Sequence, residues 1–207
     1  MIGVYDYTVL ATYLSLLFGL GGIYQAAEGN SIGAVAALML AGLLDGFDGR
    51  IARTKKNRSA EEKRFGIQID SLNDLICFGV LPAALGCSLG ERPVWFLATM
   101  AFYVLCALIR LAYFNVSEEE RQDTEGGARA YYLGMPVTTV SVLAPLVWIV
   151  TLVLPLRGAI VYAAALFVFG VLFIAPVRVK KPHLGGILVM AGIGAAEAAA
   201  IAFLLLR

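Results

Sequence analysis

The sequence predicts an all-α, polytopic membrane protein, a helical bundle in which lipid takes the place of water around most side chains. Three observations carry this expectation. Apolar residues fill 60% of the 207 positions and charged residues only 15%, against roughly 25% charged in soluble domains, and the mean hydropathy is +0.81. The apolar residues gather into seven stretches, at about 7–26, 31–49, 67–89, 93–114, 133–154, 158–176 and 186–206. Each is near the roughly 20 residues that cross a hydrocarbon core as a helix. The connections between them also differ in charge from one side to the other.

The elements can be justified in order. The first stretch follows Met1-Ile-Gly-Val-Tyr-Asp6, which lacks the basic n-region of a signal peptide and is expected to be retained. The second ends in a connection, 53–65, of mixed charge, where Ser59 followed by Glu62 has the spacing of a capping box and predicts a short helix start. Pro82 interrupts the third stretch, with Gly79 and Gly86 beside it, which predicts a bend and a close approach of a neighbouring helix. After the fourth, Ser117–Glu125 reads as a solvated surface helix and Gly126-Gly127 as a flexible break. Pro136 and Pro145 fall in the fifth stretch, and the sixth and seventh flank a basic loop, Val177–Leu184.

Loop charge predicts orientation. The connections after stretches two, four and six hold Arg50, Arg53, Lys55, Lys56, Arg58, Lys63, Arg64, Arg121, Arg129, Arg178, Lys180 and Lys181; the opposite side holds Arg92, Arg157 and Arg207. Twelve basic residues against three is a strong positive-inside bias, which places the start of the chain and the 53–65 connection in the cytoplasm. The net charge of +1 carries no nucleic-acid signal, because topology arranges the basic residues, and no nucleic-acid partner is expected.

Cys77, Cys87 and Cys106 lie in apolar stretches without metal-ligand spacing and read as small buried hydrophobes. His183 is the one histidine and stands alone in a basic loop. A histidine-based zinc site and a Ser/His/Asp hydrolase are therefore not expected.

The chemistry concentrates between residues 45 and 74. Asp45 and Asp48 stand at i and i+3, and Asp70 and Asp74 at i and i+4, so each pair shares a helix face. Ionised carboxylates at a membrane are costly unless paired, metal-bound or hydrated. Four facing one another call for a divalent cation, and hard oxygen ligands favour Mg²⁺ or Mn²⁺. Two ions bridged by these carboxylates can neutralise a diphosphate during displacement at phosphorus, and the membrane setting gives that diphosphate a lipid tail. Gly49 lets a ligand approach the backbone, and the Arg53 fork can hold a phosphate bidentately. Asp74, deepest in its span, is the candidate base for the proton of an attacking alcohol.

These residues resemble the signature of the CDP-alcohol phosphatidyltransferases, Asp-x2-Asp-Gly-x2-Ala-Arg, a spacer, then Gly-x3-Asp-x3-Asp. All its positions are filled, by Asp45, Asp48, Gly49, Ala52, Arg53, Gly66, Asp70 and Asp74. The twelve-residue spacer, 54–65, is longer than the family's usual one by about one helical turn. The resemblance implies a six-helix catalytic core over residues 5–176, with 177–207 adding a basic loop and an extra C-terminal helix. It also implies a homodimer among membrane lipids. By the same resemblance Asp45, Asp48, Asp70 and Asp74 hold metal, and Asp70 and Asp74 are catalytic. Asp48, Gly49, Ala52, Arg53, Gly66 and Thr8 form the pocket for the CDP moiety. A multi-pass protein of a prokaryotic cell membrane, with its site facing the cytoplasm, is expected.

The run Asp70-Ser71-Leu72-Asn73-Asp74 through Phe78-Gly79 is similar to the Asp-Ser-Leu-Ala-Asp…Phe-Gly pattern of the phosphatidylserine synthases in that family. Ile109-Arg110-Leu111-Ala112-Tyr113-Phe114-Asn115 resembles their Leu-Arg-Leu-Ala-Arg-Phe-Asn, with Tyr113 in place of the second arginine. Leu133-Gly134-Met135-Pro136 resembles their Gly-Leu-Pro segment. The resemblance implies CDP-diacylglycerol as donor and L-serine as acceptor, with Arg110 and Asn115 as acceptor or phosphate contacts. A phosphorylated acceptor, glycerol-3-phosphate or an inositol phosphate, is the nearest alternative. A cation-coupled transporter is the alternative of another kind, although its acids would be spread along several spans, and outside the cluster these spans offer little beyond Glu197.

Overall fold

The computed structural model describes residues 3–90, 93–124, 131–153, 157–180 and 184–205. Arg92, Gly126, Gly127, Arg129, Lys181, His183 and Arg207, named above, lie outside them, as do the side chains of Arg121 and Lys180. The described residues form helices α1 (Leu10–Ala27), α2 (Ser31–Thr54), α3 (Ala60–Asp74), α4 (Leu81–Cys87), α5 (Val94–Thr124), α6 (Val140–Val153), α7 (Gly158–Ile174) and α8 (Leu184–Leu205). A π-helical turn, Leu75–Val80, joins α3 to α4 in one continuous rod, Ala60–Cys87. Helical segments therefore stand at each of the seven apolar stretches. Leu10–Ala27, Ser31–Thr54, Ala60–Cys87 and Val94–Glu120 are long and apolar enough to cross a membrane, while Val137–Val153, Gly158–Ile174 and Gly192–Phe203 are shorter apolar helices. The chain is a polytopic all-α bundle.

Local chemistry sets the helix ends. Gly29, at φ +78°, takes the left-handed conformation just beyond α1. Asn30 then caps α2, its side-chain oxygen accepting from Gly33 N at 3.0 Å. Ser59 and Glu62 form the full capping box at the start of α3. Pro82 stands in the rod Ala60–Cys87, two residues after the π-helical turn. Pro82 cannot donate to the Phe78 carbonyl one turn back, and the buried Tyr103 hydroxyl of α5 donates to that oxygen instead.

Two features differ from the sequence expectation. The acidic segment after the fourth stretch is not a separate surface helix. Between Val94 and Thr124 there is no glycine or proline, and α5 continues as one rod of 31 residues, about 46 Å at 1.5 Å per residue. A short antiparallel ribbon also forms, β1 (Tyr131–Leu133) pairing with β2 (Arg178–Lys180) in the register Tyr132↔Val179. Gly134 closes this ribbon: its amide donates to Val177 O at 2.8 Å and its φ is +75°. A Cβ there would collide with the Phe173 carbonyl and stand 3.3 Å from Arg110 Nε.

The packing is that of a protein solvated by lipid. Large apolar side chains such as Leu17, Leu43, Leu97 and Phe167 are exposed, whereas Thr12, Ser15, Asn73, Asp74, Arg110 and Glu197 are buried. Polar groups turn inward because hydrocarbon offers them no hydrogen bonds. α1 packs chiefly on α2, and α5 on α7. The core between them is filled by Val35, Leu38, Phe78, Leu81, Tyr103, Trp148 and Leu166.

Candidate metal centre and substrate cleft

α2 and the α3 rod bring the two aspartate pairs face to face. Carboxylate oxygens of Asp45, Asp70 and Asp74 all lie within 4.8 Å of one another. Asp45 is within hydrogen-bonding range of Asp74, and Asp48 of Asp70, so the pairs meet across the helix interface. Asp74 is buried, at the last residue of α3 before the π-helical turn. Asp70 Oδ1 and Asp74 Oδ1 are buried oxygens without a hydrogen-bond donor. Buried acceptors are costly unless something satisfies them, and clustered carboxylate oxygens of this kind fit one divalent-metal site.

α1 supplies the third wall. Thr12 donates to Asp48 Oδ2 at 3.3 Å. One turn further along, Ser15 donates to the Ala41 carbonyl at 3.2 Å and accepts from Asn73 Nδ2 at 3.3 Å. The Cys77 thiol lies 3.4 Å from Asn73 Oδ1. These contacts fix the depth of α3 against α1 and α2, and Cys77 is a buried free thiol, as expected.

Beside the cluster a cleft opens with room for about 190 Å³ of solvent, lined by Thr8, Thr12, Asp48, Gly49, Ala52, Arg58, Lys63, Gly66 and Asp70, with Val9 and Ile67. Five of the residues expected in the nucleotide pocket, Thr8, Asp48, Gly49, Ala52 and Gly66, thus share one surface. Arg53 is exposed on the last turn of α2 and is not among the lining residues. The cations that do line the cleft are Arg58 and Lys63, to which the sequence reading gave no site role. Their signal was the lengthened spacer.

The rim of the cleft is pinned. Lys55 Nζ lies 2.6 Å from Asp6 Oδ2 and 2.8 Å from Glu62 Oε1, joining the N-terminal segment to the start of α3. Thr8 donates its hydroxyl to Asp6 Oδ1, and its backbone N–H donates to the same oxygen at 2.9 Å. The hydrogen bond from Lys55, with those from Thr8, holds the Asp6 carboxyl at about 2, below its ordinary 3.8.

The two residues expected on the acceptor side are both engaged with protein. Arg110 is buried on α5, its guanidinium 5.7 Å from the centre of the Phe114 ring. Asn115 Oδ1 accepts from Ser71 Oγ at 2.6 Å, and its Nδ2 donates to Gln68 Oε1 at 3.0 Å.

A buried carboxylate cluster in a helical membrane bundle, beside a cleft lined by small residues and two cations, defines a membrane-embedded metal centre suited to a phosphorylated ligand. Comparison with known families agrees: the chain belongs to the CDP-alcohol phosphatidyltransferase family, which it matches over residues 7–174. Among similar proteins, the CDP-diacylglycerol–serine O-phosphatidyltransferase of Saccharomyces cerevisiae is 33% identical over 141 residues, 63% of this chain and 50% of the yeast protein. The protein of the same name from Mycobacterium leprae is 37% identical over 127 residues, covering 60% and 40%. The archaetidylserine synthase of Methanothermobacter thermautotrophicus is 35% identical over 132 residues, covering 63% and 50%. The chain spans about half the length of these curated relatives or less.

Proposed function

We propose that the protein transfers the phosphatidyl group of CDP-diacylglycerol to the hydroxyl of L-serine, releasing CMP and forming phosphatidylserine. The observation that carries this reading is the convergence of Asp45, Asp70 and Asp74 beside a cleft lined by Gly49, Ala52 and Gly66. Serine as acceptor draws support from the relatives' names, which share serine even where the lipid differs.

In this reading Asp45, Asp48, Asp70 and Asp74 hold two ions, Mg²⁺ or Mn²⁺, and bound metal supplies charge neutralisation at the diphosphate. The cytidine end of the donor lies against Gly49 and Ala52, where a missing and a small side chain let it approach the backbone of α2, and Gly66 completes the pocket from α3. The acyl chains stay in lipid. The serine hydroxyl attacks the lipid-bearing phosphorus, its proton passes to Asp74, and the bond from that phosphorus to the CMP oxygen breaks. Arg110 is the acceptor-side cation and Arg53 a basic residue at the mouth. The loop-charge bias supports a mouth that opens to the cytoplasm, and in this reading the protein works as a homodimer.

The test is turnover by purified protein in mixed micelles with CDP-diacylglycerol and Mg²⁺ or Mn²⁺, offered L-serine, glycerol-3-phosphate and an inositol phosphate separately. Serine-dependent phosphatidylserine and CMP, lost on chelation and in Asp74→Asn, are the expected result. Turnover with a phosphorylated alcohol alone would overturn the acceptor, and no turnover by folded protein with any of them would overturn the reaction.

A further inference from the structure

The connection between α2 and α3 carries a cation into the cleft from outside the signature. We propose that Arg58 is a substrate-binding residue that grips the diphosphate of the CDP-linked lipid. The inference rests on the function proposed above and adds to it a residue from the lengthened spacer.

The geometry of the guanidinium is the first ground. Arg58 lines the cleft together with Asp48 and Asp70. Its Nη2 donates to the Glu62 carbonyl at 3.0 Å, which fixes one end of the fork. Its Nε is buried and has no hydrogen-bond partner. A strut that merely tied the connection to α3 would need the first of these contacts alone. An arginine presents its N–H donors as a rigid planar fork that matches phosphate oxygens, so a fork anchored at one end and lining a cleft is set to receive an anion.

Gly66 is the second ground. A Cβ at this position would stand 2.7 Å from Arg58 Nη2, so the absence of a side chain there makes room for the guanidinium. The glycine that the signature demands thus serves in this chain as the seat of Arg58. The third ground is how firmly the backbone is held. Arg58 immediately precedes Ser59, whose capping box with Glu62 fixes the turn, and Lys55 clamps Glu62 from the other side.

Electrostatics supplies the fourth. Asp48 and Asp70 make part of the cleft acidic, and the basic residues among those lining it are Arg58 and Lys63. An anionic diphosphate entering beside carboxylates needs cations facing it, and these are the two that the cleft provides. Lys63 is exposed and adds positive charge to the cleft; Arg58 gives direction.

The experiment uses the full chain in detergent with Mg²⁺, measuring CDP-diacylglycerol binding by calorimetry and KM for both substrates. Arg58→Gln should raise the Kd and KM for CDP-diacylglycerol about 10- to 100-fold, the range of one lost charge-assisted contact. KM for serine should stay within about twofold, and Arg58→Lys should fall between wild type and Gln because it keeps the charge without the fork. Gly66→Ala, which displaces the guanidinium, should repeat the binding loss. Unchanged donor affinity in Arg58→Gln, with wild type turning over, would overturn this assignment and leave the reaction standing. Loss of donor affinity, serine KM and thermal stability together would make Arg58 a strut and overturn it as well. Wild type that neither binds nor consumes CDP-diacylglycerol would overturn the proposed reaction, and the assignment with it.

Discussion

Ser71 donates its hydroxyl to Asn115 Oδ1 at 2.6 Å, across 44 residues of sequence, and so ties the aspartate-bearing helix α3 to α5. Ser71 lies between Asp70 and Asp74, and the Asn115 amide is completed by its bond to Gln68. Gln68 in turn donates to Glu119 Oε1 at 3.1 Å, so the continuous α5 rod grips α3 at successive points. Asn115→Ala leaves the buried Ser71 hydroxyl without its acceptor, at a cost of about 1–3 kcal/mol. The expected outcome is a fall in kcat of about tenfold, as Asp70 and Asp74 lose their setting, with KM for serine within about twofold. A rise in KM for serine with kcat unchanged would instead make Asn115 a direct acceptor contact.

Tyr103 carries a prediction about the fold. Its fully buried hydroxyl donates to the Phe78 carbonyl, the one Pro82 cannot serve. Tyr103→Phe keeps the ring in place and leaves that carbonyl without this donor inside the bundle. Stability should drop by about 1–3 kcal/mol, read as a lower midpoint of thermal unfolding in detergent. The double variant Tyr103→Phe, Pro82→Ala restores an α-helical donor at residue 82 and should recover part of the loss.

Asp6 predicts a pH dependence. Bonds from Lys55 and then Thr8 hold its carboxyl at about 2 against an ordinary 3.8, so the folded state favours the ionised form. A depressed carboxyl contributes stability that is complete above its unfolded value and is lost as pH falls through its folded value. The clasp should therefore be intact above about pH 4 and disappear between about 4 and 2. Lys55 is shifted upward from 10.5 by the same contacts, so its contribution is complete below that value and is lost only at higher pH. Unfolding midpoints measured from pH 2 to 6 should slope for wild type more steeply than for Asp6→Asn; parallel curves would show that the clasp contributes nothing.

Much of the fold was legible because hydropathy and cap chemistry are local. Seven apolar stretches gave seven helical segments, and Ser59 with Glu62 gave the start of α3. The four aspartates were legible for the same reason, since spacing of three and four along a helix fixes a common face. What escaped depends on contacts between distant parts of the chain. The β1–β2 ribbon joins segments more than forty residues apart, and Asn115 finds its partner on another helix. The acidic composition of 117–125 suggested a surface helix; the absence of a breaker, which decides continuity, carries less visible weight. Arg53 read as a phosphate ligand and Arg58 as a loop cation with no site role; the fold lines the cleft with Arg58 and leaves Arg53 exposed on the last turn of α2.

Metal removal tests the centre without relying on turnover. Carboxylates of Asp45, Asp70 and Asp74 within 4.8 Å of one another repel when ionised, so the apo-protein should be strained and a bound cation should relieve it. A ligand that binds only the folded state stabilises by about 2.7 kcal/mol at a hundred times its Kd. The unfolding midpoint of wild type should therefore climb with Mg²⁺ or Mn²⁺ and fall again on chelation. Asp74→Asn removes one ligand and one of the repelling charges together. In chelator it should unfold at or above the wild-type midpoint, while its response to added cation should be flattened or lost. Manganese bound per chain, counted by electron paramagnetic resonance, should drop in the same variant. If Asp74→Asn kept the full stabilisation by cation, Asp74 would not be a ligand, and the centre would have to be rebuilt around Asp45, Asp48 and Asp70.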